Sequence, residues 1–188
     1  ELSPFVVSSE GDRGYYASQT LSGGRTNSLI EDIGSSIQAV TEDMLEDLAA
    51  VSESDLLVYT TSTDVAGSSG NFTGSLVSNG SQSDVDARIN AGSLNRIRGI
   101  AAADRTRDYF KTDIPFDPYN SGRVDLLRGP NSFLFGLGSP GGIINYNLDR
   151  AEFRDFGELG LRFTNEDLSS GISSRANILY NKELVGDR

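Results

Sequence analysis

The feature that most constrains the fold is a glycine-rich loop at residues 136–142, which lies between two apolar segments. Four glycines and Pro140 fall within these seven residues, so the loop depends on backbone conformations that favour glycine. Before the loop, residues 123–126 alternate between polar and apolar and predict a short half-buried strand, and residues 133–135 predict a short apolar helix. After it, residues 143–146 predict another strand. The predicted order of elements is therefore a strand, a short helix, the glycine loop and a second strand.

The same loop formally matches the dinucleotide fingerprint G-x-G-x-x-G over residues 136–141. That fingerprint requires a strand directly before it and a helix that opens at its last glycines. Here a short helix is predicted before the loop, and Ile143 and Ile144 predict a strand after it. No Gly-Lys-Ser/Thr follows, so a Walker loop is excluded. A turn that joins two packed elements is the favoured interpretation, and an enzyme that binds phosphate at this loop is the weakest alternative.

Composition removes several functional classes. The 188 residues include no cysteine and no histidine, so disulfides, thiol catalysis and histidine-based acid–base or metal chemistry are not expected. The formal net charge is −11, from 16 basic and 27 acidic residues, which argues against a nucleic-acid-binding surface. We therefore predict a protein that is not an enzyme, has no cofactor or metal site and binds no nucleic acid.

Two short helices are predicted in the first third of the chain. Residues 32–41 indicate a strand that ends at Thr41, a helix N-cap followed by two acidic residues and an apolar helical face. Residues 52–55 resemble a capping box in front of a second helix. From 61 to 93, more than half of the residues are Ser, Gly, Thr or Asn, which predicts long loops. Residues 94–100 then predict another strand.

The stretch R-V-D-L-L-R-G-P-N-S-F-L-F-G-L-G-S-P-G-G-I-I-N at residues 123–145 closely resembles the closing segment of the plug domain of TonB-dependent outer-membrane receptors. The family pattern is an apolar–acidic strand, R-G-P, a short helix that ends in Y/F-G, then S-x-G-G and a strand that ends in Asn. The helix pair at 42–57 resembles the family as well, whereas its D-G-V strand signature is missing. The resemblance implies an α+β fold, a small mixed-sheet plug domain with short helices and long loops.

The resemblance also implies contacts between the plug and the barrel that surrounds it. Arg98 and Arg128 both precede a glycine, and the corresponding arginines of the family face glutamates of the barrel wall. Gly129 and Pro130 belong to the same predicted contact. Arginine pairs carboxylates in a bidentate manner even when it is buried, which suits this role. The alternative is an exposed arginine on a strand face.

Two further sets of residues carry predictions that rest on the resemblance. The N-terminal segment is predicted to contain or follow the TonB box, which pairs with the C-terminal domain of TonB by strand addition, and a disordered tail is the alternative. Its predicted residues are Leu2, Ser3, Pro4, Phe5, Val6 and Val7. Plug loops are predicted to contact a small-molecule ligand, and a solvated linker is the alternative. Their predicted residues are Asn71, Phe72, Thr73, Tyr109 and Phe110.

After residue 151 the pattern becomes strictly alternating. Residues 159–163 and 176–180 alternate between apolar and polar side chains around a polar turn, as in the first hairpin of a membrane barrel. A soluble amphipathic hairpin gives the same pattern. We therefore predict a flexible N-terminal segment at 1–16, a plug domain at 17–150 and, at 151–188, the first two antiparallel strands of a truncated transmembrane β-barrel.

The predicted function is that of the gating and ligand-sensing plug of a TonB-dependent outer-membrane transporter. The nutrient would be scarce, such as a ferric siderophore, cobalamin or a glycan. The predicted partners are TonB, the chain's own barrel and, through that barrel, the outer membrane, with the N-terminus in the periplasm. The alternative is a soluble periplasmic binding or secretion module that has a plug-like fold and no barrel.

Overall fold

The structure of the chain is a computed structural model that describes residues 12–65, 70, 95–129, 136, 139–149, 154–165 and 172–183. The chain divides into two compact units, Glu1–Leu148 and Asp149–Arg188. The helices are α1 (Glu42–Asp47) and α2 (Glu53–Leu57), and single 3-10 turns occupy Ile30–Asp32 and Pro118–Asn120. The strands are β1 (Gln19–Thr20), β2 (Ser28–Leu29), β3 (Ser36–Thr41), β4 (Thr63–Asp64), β5 (Arg96–Ile97), β6 (Asp104–Arg107), β7 (Phe110–Lys111), β8 (Ser121–Arg128), β9 (Ile143–Leu148), β10 (Phe156–Thr164) and β11 (Ser173–Asn181). Among the described residues, no helix is long and apolar enough to cross a membrane.

A five-stranded mixed sheet forms the centre of the first unit. Its strand order is β3-β8-β9-β6-β7, and every neighbouring pair is antiparallel except β6 and β9, which are parallel. The central strands β8 and β9 come from the segments that the sequence predicted on either side of the glycine loop. Two-stranded ribbons pair β1 with β2 and β4 with β5. The mixed sheet with its two short helices confirms the predicted α+β fold.

The helices cover one face of this sheet. Val124 and Leu126 from β8 alternate with polar neighbours and point toward α1 and α2, as their strand periodicity predicts. They form one buried core with side chains of both helices and of the neighbouring strands. Its buried members are Val40, Leu45, Ala50, Leu56, Leu57, Val65, Ile97, Phe116, Val124, Leu126, Ile144 and Tyr146.

Both predicted helix caps are confirmed. The Thr41 hydroxyl accepts a hydrogen bond from the Met44 amide at 3.4 Å, at the start of α1. At the start of α2, Ser52 accepts from the Asp55 amide at 3.3 Å, and the Asp55 carboxylate accepts from the Ser52 amide at 2.8 Å. These reciprocal bonds satisfy backbone donors that have no partner within a helix.

A buried carboxylate lies at the contact between α2 and the sheet. Glu53, only 6% exposed, pairs with Arg105 of β6 at 2.8 Å and accepts a hydrogen bond from the Tyr146 hydroxyl at 2.5 Å. Asn95 donates to the same carboxylate at 3.2 Å. The Tyr146 ring stacks on Phe116 with 4.8 Å between ring centres. Glu53 therefore connects α2 to strands β6 and β9 of the sheet and to Asn95, the residue before β5.

The structure corrects the prediction of a strand over residues 94–100. Among the described residues 95–100, only Arg96 and Ile97 are in a strand, and this strand pairs with β4 and is not part of the five-stranded sheet. Arg98 and Gly99 then have φ values of +56° and +67°, so the chain turns where the strand was expected to continue. Ile97 donates to the Ala101 carbonyl at 2.9 Å and closes this turn.

The described part of the glycine loop is a structural turn, as the favoured interpretation predicted. Gly141 packs against the backbone of Ala101 and Ala102, and Gly142 packs against that of Leu127. The chain then enters β9, and no helix opens at these glycines. The nucleotide-binding context is therefore missing.

In the second unit, β10 and β11 form an antiparallel hairpin. One face carries apolar side chains that are between 63% and 72% exposed: Leu159, Leu161, Phe163, Ile178 and Tyr180. The opposite face carries Glu158, Arg162, Arg175 and Asn177, and the two arginines are directly opposite each other. The predicted alternation and the two antiparallel strands are confirmed.

Candidate functional site

The candidate site is a pair of arginines beside Gly129, at one end of the central sheet. Arg128 is the last residue of β8 and is only 5% exposed. Its Nη1 lies 3.5 Å from the Ser36 hydroxyl, and its Nη2 donates to the side-chain oxygen of Gln38. Its Nε is buried and has no hydrogen-bond partner among the described residues. Part of this guanidinium's donor capacity is therefore unused.

Arg98 reaches the same place from the turn after β5. Its Nη1 lies 3.3 Å from where a Cβ atom on Gly129 would be, a closer approach than most Cβ atoms have, so glycine gives the guanidinium room there. Gly129 itself has a φ of +99°, which also favours glycine. The left-handed backbone at Arg98 is held by a hydrogen bond from its amide to the Ser62 carbonyl at 2.9 Å. The ribbon of β4 and β5 therefore aims Arg98 at the end of β8.

The electrostatics of this pair are unfavourable as they stand. Burial, and secondarily the positive charge of Arg98, lower the pKa of Arg128 from its ordinary value. Among the described residues, no carboxylate forms an ion pair with either arginine. Two neighbouring guanidinium groups, of which Arg128 has an unused buried donor, form a site for an anion, because carboxylate or phosphate oxygens fit their fork geometry.

The other sequence-predicted residues lie elsewhere or outside the description. Phe110 is 79% exposed on β7, the edge strand of the sheet. The hydroxyl of Tyr109 lies 2.7 Å from the Ser22 hydroxyl and 3.5 Å from Asp125, so it is engaged inside the domain. The remaining predicted residues lie outside the described residues: Leu2, Ser3, Pro4, Phe5, Val6, Val7, Asn71, Phe72, Thr73 and Pro130.

Sequence reasoning missed a second charged cluster, on the face of the sheet opposite the helices. Arg123 donates from Nε to Asp125 at 2.8 Å and from Nη1 to Asp12 at 3.2 Å. The pKa of Asp12 is raised because it is partly buried, and the attraction of Arg123 only partly offsets that burial. The signal that was available is the alternation of Arg123 and Asp125 with apolar Val124, which places both charged side chains on one face of β8.

No group of three or more acidic side chains that is suited to a metal ion occurs among the described residues. A shallow cavity of about 600 Å³ is lined by the glycine-rich turn at residues 23–35, including Asn27 and Asp32. It contains no cluster of positive charge and lies apart in sequence from Arg98 and Arg128. The arginine pair is therefore the better candidate for recognition.

Comparisons with known proteins agree with this architecture. The ferrichrome outer membrane transporter/phage receptor of Escherichia coli (strain K12) is 28% identical over 139 residues, which cover 69% of this chain and 16% of that protein. The metal-pseudopaline receptor CntO of Pseudomonas aeruginosa is 27% identical, with 98% of this chain and 26% of that protein covered. The chain thus spans about a quarter or less of the length of these relatives.

The fold is shared with solved structures of the same kind. The crystal structure of BauA, the ferric preacinetobactin receptor of Acinetobacter baumannii, superposes with a TM-score of 0.61 at 20% identity. The superposition covers 88% of this chain and 23% of that one. A family model described as "TonB-dependent Receptor Plug Domain" matches residues 30–143, more than half of the chain. The chain therefore belongs to the TonB-dependent receptor plug domain family.

Proposed function

We propose that this chain is the gating and ligand-sensing plug of a TonB-dependent outer-membrane transporter. The family match carries this proposal, and the arrangement of Arg98 and Arg128 supports it. A plug that closes a barrel needs surface groups that hold it to the barrel wall. Two adjacent guanidiniums with an unused buried donor are suited to that task, since a carboxylate supplied from outside the described residues would neutralise both.

Accordingly, we propose that Arg98, Arg128 and Gly129, together with Pro130, form the contact with the barrel, and that acidic residues of the barrel wall face the two arginines. Gly129 contributes by leaving the space that the Arg98 side chain occupies. The hairpin of β10 and β11 supports the presence of a barrel, because its exposed apolar face suits lipid and its polar face suits a lumen. We assign residues 17–150 to the plug and 151–188 to the first barrel hairpin.

The transported nutrient proposed here is a metal chelate of the siderophore class. The names of the relatives support this choice over cobalamin or a glycan, since they refer to ferrichrome, metal-pseudopaline and ferric preacinetobactin. Within the described residues, the exposed ring of Phe110 is the candidate ligand contact. Tyr109 is a weaker candidate because its hydroxyl is engaged inside the domain. We retain Asn71, Phe72 and Thr73 as predicted ligand contacts.

The proposal includes TonB as a partner of residues 2–7 and a location in the outer membrane with the N-terminus in the periplasm. The test is the size and location of the native polypeptide, detected with an antibody raised against residues 17–150. A heat-modifiable outer-membrane band several times larger than this chain is expected. A soluble band near the 20.2 kDa mass of this chain would overturn the proposal and favour a periplasmic module without a barrel.

The barrel contact has its own test in the native polypeptide. The double variant Arg98→Glu, Arg128→Glu places two carboxylates opposite the proposed acidic wall, so repulsion is expected to loosen the plug. Entry of a large antibiotic that the intact outer membrane excludes is the measurement. Arg25→Glu is the matched control, because Arg25 is an exposed arginine that also has a left-handed backbone. Equal antibiotic entry in both variants would contradict the assignment.

A further inference from the structure

On the face of the central sheet opposite the helices, the part formed by residues 123, 125, 145 and 147 is polar and nevertheless largely buried. Arg123 and Asp125 of β8 lie beside Asn147 and Asn145 of β9, and Thr106 of β6 follows next to Asn145. Arg123 and Asp125 are 4% and 2% exposed, and Thr106 and Asn145 are fully buried. A buried polar face requires hydrogen-bonding partners from whatever covers it.

The cover is the segment at residues 12–29, which we call the strap. Asp12 pairs with Arg123 at 3.2 Å, and the Gln19 carbonyl accepts from the same guanidinium at 2.5 Å. The hydroxyls of Thr20 and Ser22 both donate to Asp125 at 3.2 Å. One ion pair and three hydrogen bonds therefore connect the strap to two neighbouring side chains of β8.

The other attachments of the strap are also polar. The Gly14 carbonyl accepts from the Thr41 hydroxyl at 2.7 Å, and the Tyr15 hydroxyl donates to Asp47 at 2.7 Å. Among the described residues, the hydrophobic core begins only at Val40, so the strap contributes no side chain to it. Water replaces hydrogen bonds at small net cost, whereas buried apolar area is lost outright when an element detaches. The strap is therefore held less firmly than the strands beneath it.

Tyr109 completes the attachment from the hairpin between β6 and β7. The two residues of this turn, Asp108 and Tyr109, have φ values of +46° and +68°, where glycine or asparagine is usual and tyrosine is strained. The Tyr109 amide donates to Asn145 at 2.7 Å, and its hydroxyl lies 2.7 Å from the Ser22 hydroxyl. A strained backbone thus places a tyrosine hydroxyl between the strap and Asp125.

We propose that residues 12–29 form a detachable strap, which undocks from the polar face as a unit while the five-stranded sheet stays folded, with Tyr109 as its latch. Undocking uncovers a surface of hydrogen-bonding side chains that is suited to polar solutes: Thr106, Arg123, Asp125, Asn145 and Asn147. The undocking does not depend on the proposed function. The further idea that the strap is the first segment released when TonB pulls on the chain does rest on the proposed function.

Amide hydrogen exchange of the full chain, followed by mass spectrometry, tests the proposal. In the unaltered chain, peptides from residues 12–29 are expected to exchange at least about tenfold faster than peptides from β9. The variant Tyr109→Phe is expected to accelerate exchange in the strap by about tenfold, as loss of one or two hydrogen bonds does, and to leave β9 unchanged. Tyr59→Phe is the control, because Tyr59 is 60% exposed and remote in sequence from the strap.

The variant Tyr109→Gly separates the latch from general stability. Glycine relieves the left-handed backbone but also removes the tyrosine ring, so the urea concentration at which the sheet unfolds is expected to change little while the strap exchanges faster. Equal exchange rates for the strap and β9, with equal responses to Tyr109→Phe, would overturn the proposal, because the domain would then open only as one unit. Should Tyr109→Gly fail to fold, Tyr109→Phe alone decides the role of the hydroxyl.

The strap proposal and the proposed function can each be contradicted without affecting the other. If the chain does not bind TonB but the strap exchanges fast, the coupling to TonB is contradicted and the strap proposal stands. If the chain binds TonB but the strap and the sheet exchange at equal rates, the strap proposal is contradicted and the transporter assignment stands.

Discussion

Gly142 approaches Leu127 so closely that a Cβ atom on Gly142 would overlap the Leu127 carbonyl oxygen. The φ of Gly142 is +106°, a conformation that other residues rarely adopt. Immediately afterwards the chain enters β9, where Ile143 pairs with Leu127. The glycine therefore makes the return from the loop to the centre of the sheet possible.

The substitution Gly142→Ala is expected to lower the free energy of unfolding by at least about 3 kcal/mol, since it adds both a backbone clash and backbone strain. Urea denaturation measures this change. Gly24→Ala is the control, because nothing lies within 4 Å of a Cβ at Gly24 and its φ is not left-handed. Similar unfolding midpoints for the two variants would show that β8 and β9 do not meet as described.

Removal of one charge from the arginine pair is expected to stabilise this chain by itself. In Arg98→Gln, the positive charge beside Arg128 disappears, so the free energy of unfolding is expected to rise by up to about 1 kcal/mol, the usual size of a like-charge contact. Thermal unfolding at low and high salt measures it, and the difference is expected to shrink at high salt. A loss of stability in Arg98→Gln would indicate that a carboxylate of this chain already neutralises the pair.

The buried ion pair between Glu53 and Arg105 is expected to be sensitive to loss of one partner. In Glu53→Gln, the buried Arg105 loses its ion pair with Glu53, and the free energy of unfolding is expected to fall by about 3 kcal/mol. Chemical denaturation gives the value, and Glu46→Gln, on the exposed side of α1, serves as control. Recovery of stability in a double variant with Arg105→Met would confirm that the uncompensated charge causes the loss, and no recovery would contradict this explanation.

Two of the seven tyrosines are expected to ionise only when the domain unfolds. Burial, and next the charge of Glu53, raise the pKa of Tyr146, and burial and Asp125 raise that of Tyr109. The unfolded chain ionises near pH 10, so it binds fewer protons than the folded chain above that pH, and stability decreases as the pH rises further.

Absorbance of tyrosinate during an alkaline titration measures this difference. A phase of tyrosinate formation that coincides with loss of folded structure is expected. Tyr146→Phe is expected to reduce the amplitude of this phase. A single phase that precedes unfolding would show that neither Tyr109 nor Tyr146 is buried as described.

The local elements of the fold could be predicted from the sequence because short-range chemistry specifies them. The caps at Thr41 and Ser52 depend on residues three positions apart, and strand β8 follows from alternation of apolar side chains. The family could be recognised because residues 123–145 keep the order and spacing of a long pattern. The hairpin of β10 and β11 followed from the same alternation.

Contacts between distant residues could not be predicted, because no local pattern specifies which strands become neighbours. The sequence alone indicated that Arg98 and Arg128 share a role, but the expected strand at Arg98 is a left-handed turn, and only folding brings its guanidinium to Gly129. Asp12 and Arg123 are 111 residues apart, and the sequence contains nothing that pairs them. By itself the sequence determined the local elements, the fold class and the family. The tertiary structure alone decided which charges meet and which polar groups are buried, because burial and pairing depend on the packing of the whole chain.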